Sequence, residues 1–130
     1  MHEVNILIVD DVNAVRFQVK DLLRGMGFRK VQSVGTTAEA KVLLDTEEFQ
    51  LILCDWHMEP MDGIAFLREV RTSSNPKIAQ VSFIMVTGES TKEKVVEAVT
   101  AGVDDYIVKP LTIGQVQNRV LGVLTKKKIL

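Results

Sequence analysis

The sequence predicts a doubly wound α/β fold: five parallel strands in one sheet, with helices on both faces. Short apolar runs alternate five times with stretches whose apolar residues recur every three or four positions. Most of the runs are continuously apolar, as strands buried on both faces of a parallel sheet are. Such alternation needs right-handed crossovers between parallel strands, which place helices on both sides. With 130 residues, 46% of them apolar, the chain has room for one core. At this length about two-thirds of the unfolded surface becomes buried, enough to fold without disulfides or structural metal. Residues 1–130 are therefore expected to form a single domain, with no output domain.

The elements follow in order. Ile6 to Val9 is the first apolar run, and Val12, Val15, Val19, Leu22, Leu23 and Met26 then trace one helical face that Gly27 terminates. Lys30 to Val34 alternates, with Val31 and Val34 among polar neighbours, which marks an edge strand. Leu51 to Cys54 and Phe83 to Val86 are buried-strand runs, and Tyr106 to Val108 is a shorter one of the same kind. Three capping boxes start helices: Thr36 with Glu39, Ser90 with Glu93, Thr112 with Gln115. The remaining helix begins near Asp62 and Gly63 and carries Ile64, Phe66, Leu67 and Val70 inward, before the polar stretch Thr72 to Lys77.

Composition excludes several classes of partner. Sixteen basic against seventeen acidic residues give a net charge of -1, which exerts no general pull on nucleic acid or anionic membrane. No apolar run approaches the ~18 residues that span a bilayer, and the N-terminus lacks the basic and apolar regions of an export signal. The lone Cys54 lies in an apolar run and is expected as a buried thiol, which favours a reducing compartment, the cytoplasm.

All strands of a parallel sheet end on one edge, where ligands bind. Asp10 and Asp11 follow the first run, Asp55 the third, Thr87 the fourth and Lys109 the fifth, so five chain-distant polar groups converge. Three carboxylates about 5 Å apart, at an effective dielectric near 20, repel by roughly 3 kcal/mol per pair. A cation is required, and oxygen ligands with space for water suit Mg²⁺. Lys109 as a point charge and Thr87 as a donor then fit an anion. A carboxylate can itself attack phosphorus. Asp55, alone on the central strand, is the expected phosphoacceptor, while the adjacent Asp10 and Asp11 position the ion.

These residues carry a resemblance. Asp10-Asp11, Asp55-Trp56-His57-Met58 running into Met61-Asp62-Gly63, Thr87-Gly88, and Ala101-Gly102 followed by Tyr106 and Lys109-Pro110 together resemble the receiver domains of two-component response regulators, specifically the stand-alone receivers of chemotaxis. The resemblance covers nearly the whole chain. It implies the flavodoxin-like strand order 2-1-3-4-5 and a phosphorylation-activated signalling switch rather than an enzyme. Asp55 would take a phosphoryl group from a sensor histidine kinase in a reaction the receiver itself catalyses, and would lose it slowly by autodephosphorylation. Asp11, Asp55 and the main-chain carbonyl of His57 would ligate Mg²⁺, with Asp10 supporting the ion largely through water. Thr87 and Tyr106 would form the switch, remodelling a face built from the fourth helix, the last strand and the last helix. A protein effector, in chemotaxis a flagellar motor switch protein, and a phosphatase are the implied partners. The Lys109-Pro110 bond is expected to be cis.

The chain departs from the family pattern at three places. Glu59 stands four residues after the phosphoacceptor, where Pro is usual, and Pro60 follows. His57, in place of the Asn of chemotaxis receivers, shares with Glu89 a position that tunes hydrolysis, and Glu59 joins them near the phosphoryl group. Leu111 replaces a Phe on the partner face.

Taken singly, each residue has a plainer reading. Asp11 alone is the N-cap of the first helix, Thr87 and Lys109 alone are surface residues at strand ends, and only their shared edge raises them. His57 lacks the companions of a zinc site, since Cys54 points into the core. Met58 and Met61 cover an irregular loop, and Lys126 to Lys128 complement a helix C-terminus. Rival functions are a phosphate sink or phosphorelay intermediate using the same pocket, and a Mg²⁺-dependent phosphohydrolase with an Asp nucleophile. For the latter, His57 occupies the position of the second Asp in the haloacid dehalogenase pattern. An FMN carrier fits poorly, because two carboxylates would repel its phosphate.

Overall fold

A computed structural model describes residues 3–130. Its order is β1 (Asn5–Val9), α1 (Asn13–Gly25), β2 (Lys30–Val34), α2 (Thr37–Thr46), β3 (Leu51–Asp55), α3 (Gly63–Arg71), α4 (Pro76–Ala79), β4 (Ser82–Thr87), α5 (Lys92–Ala101), β5 (Asp105–Val108) and α6 (Ile113–Lys126). The five strands pair in the order β2-β1-β3-β4-β5, and every pairing is parallel.

Side chains alternate across the sheet and so split the core into two layers. Leu7, Ile52, Cys54, Phe83 and Met85 meet Ala40 and Leu44 of α2 and Phe66, Leu67 and Val70 of α3. Ile6, Ile8, Leu53, Ile84 and Val86 meet Val19 and Leu23 of α1 and Val116, Val120 and Leu124 of α6. Phe66 and Phe83 bring their rings to 6.1 Å. Each fully buried Phe or Leu contributes about 1.5–3 kcal/mol, so truncating Leu67 to Ala is a cavity mutation costing about 2–5 kcal/mol.

Local chemistry sets most boundaries. Gly27, at φ 103°, reverses the chain after α1, its amide donating to Arg24 O at 3.0 Å and that of Phe28 to Leu23 O at 3.1 Å. Thr36 caps α2 by accepting from Glu39 N at 3.2 Å, and its hydroxyl donates to Glu39 Oε1 at 3.1 Å. Asp62 caps α3 through Ala65 N at 2.9 Å. Thr112 caps α6 through Gln115 N at 3.2 Å, whereas the Gln115 side chain bonds Val108 N and O instead of completing a box.

Several local readings are corrected. The cap of α5 is Thr91, not Ser90. Asp11 caps nothing: Val12 occupies the N-cap of α1 without a side-chain bond, and Val12 is exposed rather than part of the buried stripe. The polar stretch after α3 runs into a one-turn helix, α4, where Asn75 accepts from Lys77 N and Pro76 supplies a favourable first position. β5, at the sheet edge as the order 2-1-3-4-5 implies, buries only Ile107 rather than the whole run. Lys127, expected only to complement the helix C-terminus, also places its ammonium 3.1 Å from Asp104 Oδ1.

Candidate functional site

β1 and β3 are central neighbours, with Val9 opposite Cys54, so the residues that follow them emerge side by side. Asp10 is 3% exposed and Asp55, the last residue of β3, is 5% exposed. Asp11 is exposed. One carboxylate oxygen from each of Asp10, Asp11 and Asp55 lies within 4.8 Å of the others. Asp10 Oδ1 accepts from Val12 N at 2.9 Å, which fixes that carboxylate at the head of the loop. Burial, first, and then the charges of Asp55 and Asp11 push the Asp10 carboxyl above its usual range, against the Val12 amide and Lys109, which pull it down.

Lys109 reaches into this cluster, its Nζ 3.2 Å from Asp55 Oδ1. The backbone holds it there, Lys109 N donating to Thr87 O at 2.8 Å. The Lys109–Pro110 bond is cis, as expected, and so is Glu59–Pro60. One ammonium against three acids leaves negative charge in excess, and each acid pair at this spacing repels by about 3 kcal/mol at a dielectric near 20. The donor set fits a hard divalent cation. It is all oxygen, part buried and part exposed, and Asp11 opens onto a 340 Å³ cleft that it shares with His57, Met58, Glu59 and Asp62, leaving room for the water Mg²⁺ retains. A cleft of 230 Å³ lined by Glu48, Phe49, Lys77 and Val81 sits at the opposite ends of the strands, away from these acids.

The loop after Asp55 is held from both sides. Trp56 N donates to Val86 O at 2.9 Å and Gly63 N donates to Trp56 O at 2.8 Å. A Cβ at Gly63 would stand 2.3 Å from Asp55 O and 3.0 Å from Trp56 Cα, so only glycine lets α3 approach the end of β3 this closely. The sequence showed Gly63 as a helix start and gave no sign of this contact.

Thr87 ends β4, 3% exposed, one residue past Val86, the partner of Asp55 in register. Its Oγ1 accepts from Glu89 N at 3.0 Å, leaving the hydroxyl proton for another acceptor. Tyr106 registers with Met85, is half-buried against the α3 side of the core, and carries the Arg119 guanidinium 5.8 Å from its ring centroid. His57 Nε2 approaches Glu89 Oε1 to 3.6 Å, both side chains exposed, joining the loops after β3 and β4. Glu59 is exposed on the wall of the cleft. Met58 is buried and Met61 packs on the core, both as fillers. Cys54 is buried, and burial raises its thiol pKa well above the usual range. Sequence reasoning missed Lys94, whose Nζ lies 4.7 Å from the Trp56 ring centroid; no local pattern signals that contact.

No described helix is long and apolar enough to cross a membrane. The pattern defining the response regulator receiver domain matches residues 6–121. Chemotaxis protein CheY-3 of Vibrio cholerae is 36% identical over 114 residues, 88% of this chain and 86% of that protein. Chemotaxis protein CheY of Pseudomonas aeruginosa is 37% identical over 107 residues, 82% of this chain and 85% of that protein. Among solved structures, chemotaxis protein CheY4 of Vibrio cholerae superposes with a TM-score of 0.86 at 27% identity, covering 93% of this chain and 98% of that one. With this fold, this acidic rim and these relatives, the chain belongs to the receiver domain family of response regulators.

Proposed function

We propose that this receiver takes a phosphoryl group on Asp55 from a sensor histidine kinase and thereby changes its binding to a protein effector, in a chemotaxis pathway ending at a flagellar motor switch protein. The observation that carries this reading is the placement of Asp55, buried between two further acids and the Lys109 ammonium 3.2 Å away. In the transfer the bond from phosphorus to the kinase histidine nitrogen breaks and one from phosphorus to an Asp55 oxygen forms. Asp10, Asp11, Asp55 and the His57 carbonyl would hold Mg²⁺, which when bound neutralises charge on the transferring oxygens. Lys109 then shifts from the Asp55 carboxylate to a phosphoryl oxygen. The free hydroxyl proton of Thr87 is available to donate to another, which draws Thr87 inward and lets Tyr106 move into the vacated space. Supported by the likeness to chemotaxis proteins, the effector face is formed by α5, β5 and α6.

His57 and Glu59 line the cleft onto which Asp11 opens, Glu89 lies 3.6 Å from His57, and the three would set how long the phosphoryl group lasts. A phosphatase would work through the same approach. The test is acid-labile phosphate: the wild type with Mg²⁺ and a small phosphodonor incorporates it, and Asp55→Asn does not. Equal incorporation by the variant rejects the assignment. A pull-down with and without beryllofluoride then separates a switch, which binds an effector only when the mimic is present, from a phosphate sink, which contacts the kinase alone.

A further inference from the structure

α5 is the long helix least held by packing. Ala98 is its one buried residue, against five in α3, and its Thr91 cap reaches Lys94 N only at 3.4 Å. Polar contacts hold it instead. At its C-terminal end Arg71 Nε donates to Gly102 O at 2.9 Å, and in its middle Glu97 meets Arg68 at 3.4 Å. Its N-terminal end is held by the Lys94 ammonium over the Trp56 ring. Trp56 is 3% exposed and Lys94 is half-buried, so the ammonium–ring attraction is partly sheltered from water, which strengthens it. Because Trp56 is bonded through both its amide and its carbonyl, the ring stays with the Asp55 loop, and any change in the contact is taken up by α5.

A charge placed at Asp55, the residue before Trp56, competes for that ammonium. Attraction between two charges falls off more slowly with distance than attraction between a charge and a ring quadrupole. We propose that Lys94 is a positioning residue that clamps the N-terminal end of α5 to the phosphoacceptor loop through the Trp56 ring, and that negative charge added at Asp55 releases the clamp by drawing the ammonium off the ring. Only the release rests on Asp55 being the phosphoacceptor.

Amide hydrogen exchange over residues 92–101, with Trp56 emission, tests both halves in the wild type, Lys94→Met and Lys94→Arg. Met keeps the unbranched chain without charge, and Arg restores the cation on the ring. Without ligand, Lys94→Met is expected to exchange about fivefold faster at the start of α5 and to show altered emission, while Lys94→Arg matches the wild type. Adding Mg²⁺ and beryllofluoride should bring the wild type to the exchange rate of Lys94→Met. Wild-type exchange and emission in Lys94→Met, or a Lys94→Arg variant that behaves like Lys94→Met, overturns the clamp. A wild type in which beryllofluoride leaves α5 unchanged overturns the release. Acid-labile phosphate measured on the same proteins reports the phosphoacceptor reading separately.

Discussion

The two ends of the sheet treat charge in opposite ways. At the amino ends of the strands, Arg71 is half-buried, yet its guanidinium donates to Ala79 O, Val81 O, Gly102 O and Asp104 Oδ2 at 2.6 to 3.1 Å. Asp104 also accepts from Phe83 N at 2.7 Å and pairs with Lys127 at 3.1 Å. Burial pulls the Arg71 pKa down, with Asp104 pulling it back. The charges of Arg71, Asp104 and Lys127 are answered by the chain itself, and the knot ties α3, α4, β4, the end of α5 and α6 together. At the carboxyl ends, three acids face one another and Lys109 answers one of them. The lesson is that the first cluster is complete as it stands, whereas the second carries a surplus negative charge that only something from outside can neutralise.

Breaking each end should therefore give different signatures. The largest effect is expected from Asp55→Asn, which removes phosphate incorporation down to background while the protein stays folded by circular dichroism. Arg71→Ala takes the side-chain donor from the Ala79, Val81 and Gly102 carbonyls while Asp104 keeps Phe83 N and Lys127, and should cost about 2–4 kcal/mol, seen as a fall in melting temperature of roughly 10 °C, with Mg²⁺ affinity unchanged. Altered affinity would mean that the two ends are not independent. Gly63→Ala forces a Cβ against the Asp55 carbonyl and should destabilise by about 1–3 kcal/mol and, on the proposed reading, also weaken phosphate incorporation, because it displaces Asp55.

The smallest effect has the opposite sign. A carboxyl raised by folding, as Asp10 is, costs stability once the pH exceeds its unfolded value near 3.8, and the full cost is present above the raised value. Asp10→Asn removes it at neutral pH and should raise the melting temperature of the metal-free protein by about 4 °C, while lowering Mg²⁺ affinity. A fall in melting temperature would contradict the surplus charge.

Much of this was legible in the sequence, for definite reasons. β1, β3 and β4 are central, so both faces are apolar and Ile6–Val9, Leu51–Cys54 and Phe83–Val86 read as unbroken runs. The acids stood out because a parallel sheet turns positions just past each strand into one edge. What failed was local ambiguity or long-range contact. Ser90 and Thr91 are adjacent hydroxyls, and helical period does not choose between them. Asn75-Pro76 signalled α4, but a four-residue helix buries nothing that would show as a stripe. Tyr106 to Val108 read as a buried run although its place at the edge leaves only Ile107 buried, because burial is set by neighbours and not by the run itself. The Arg71 knot and the Lys94 contact depend on residues brought together by folding, and nothing near either one in the chain announces it.

Titration calorimetry of Mg²⁺ into the metal-free wild type, and into Asp11→Asn/Asp55→Asn, tests the surplus charge most directly. Saturable uptake of one ion in the millimolar range by the wild type, lost in the double variant, is the predicted result. No uptake by the wild type, or equal uptake by both proteins, would contradict it.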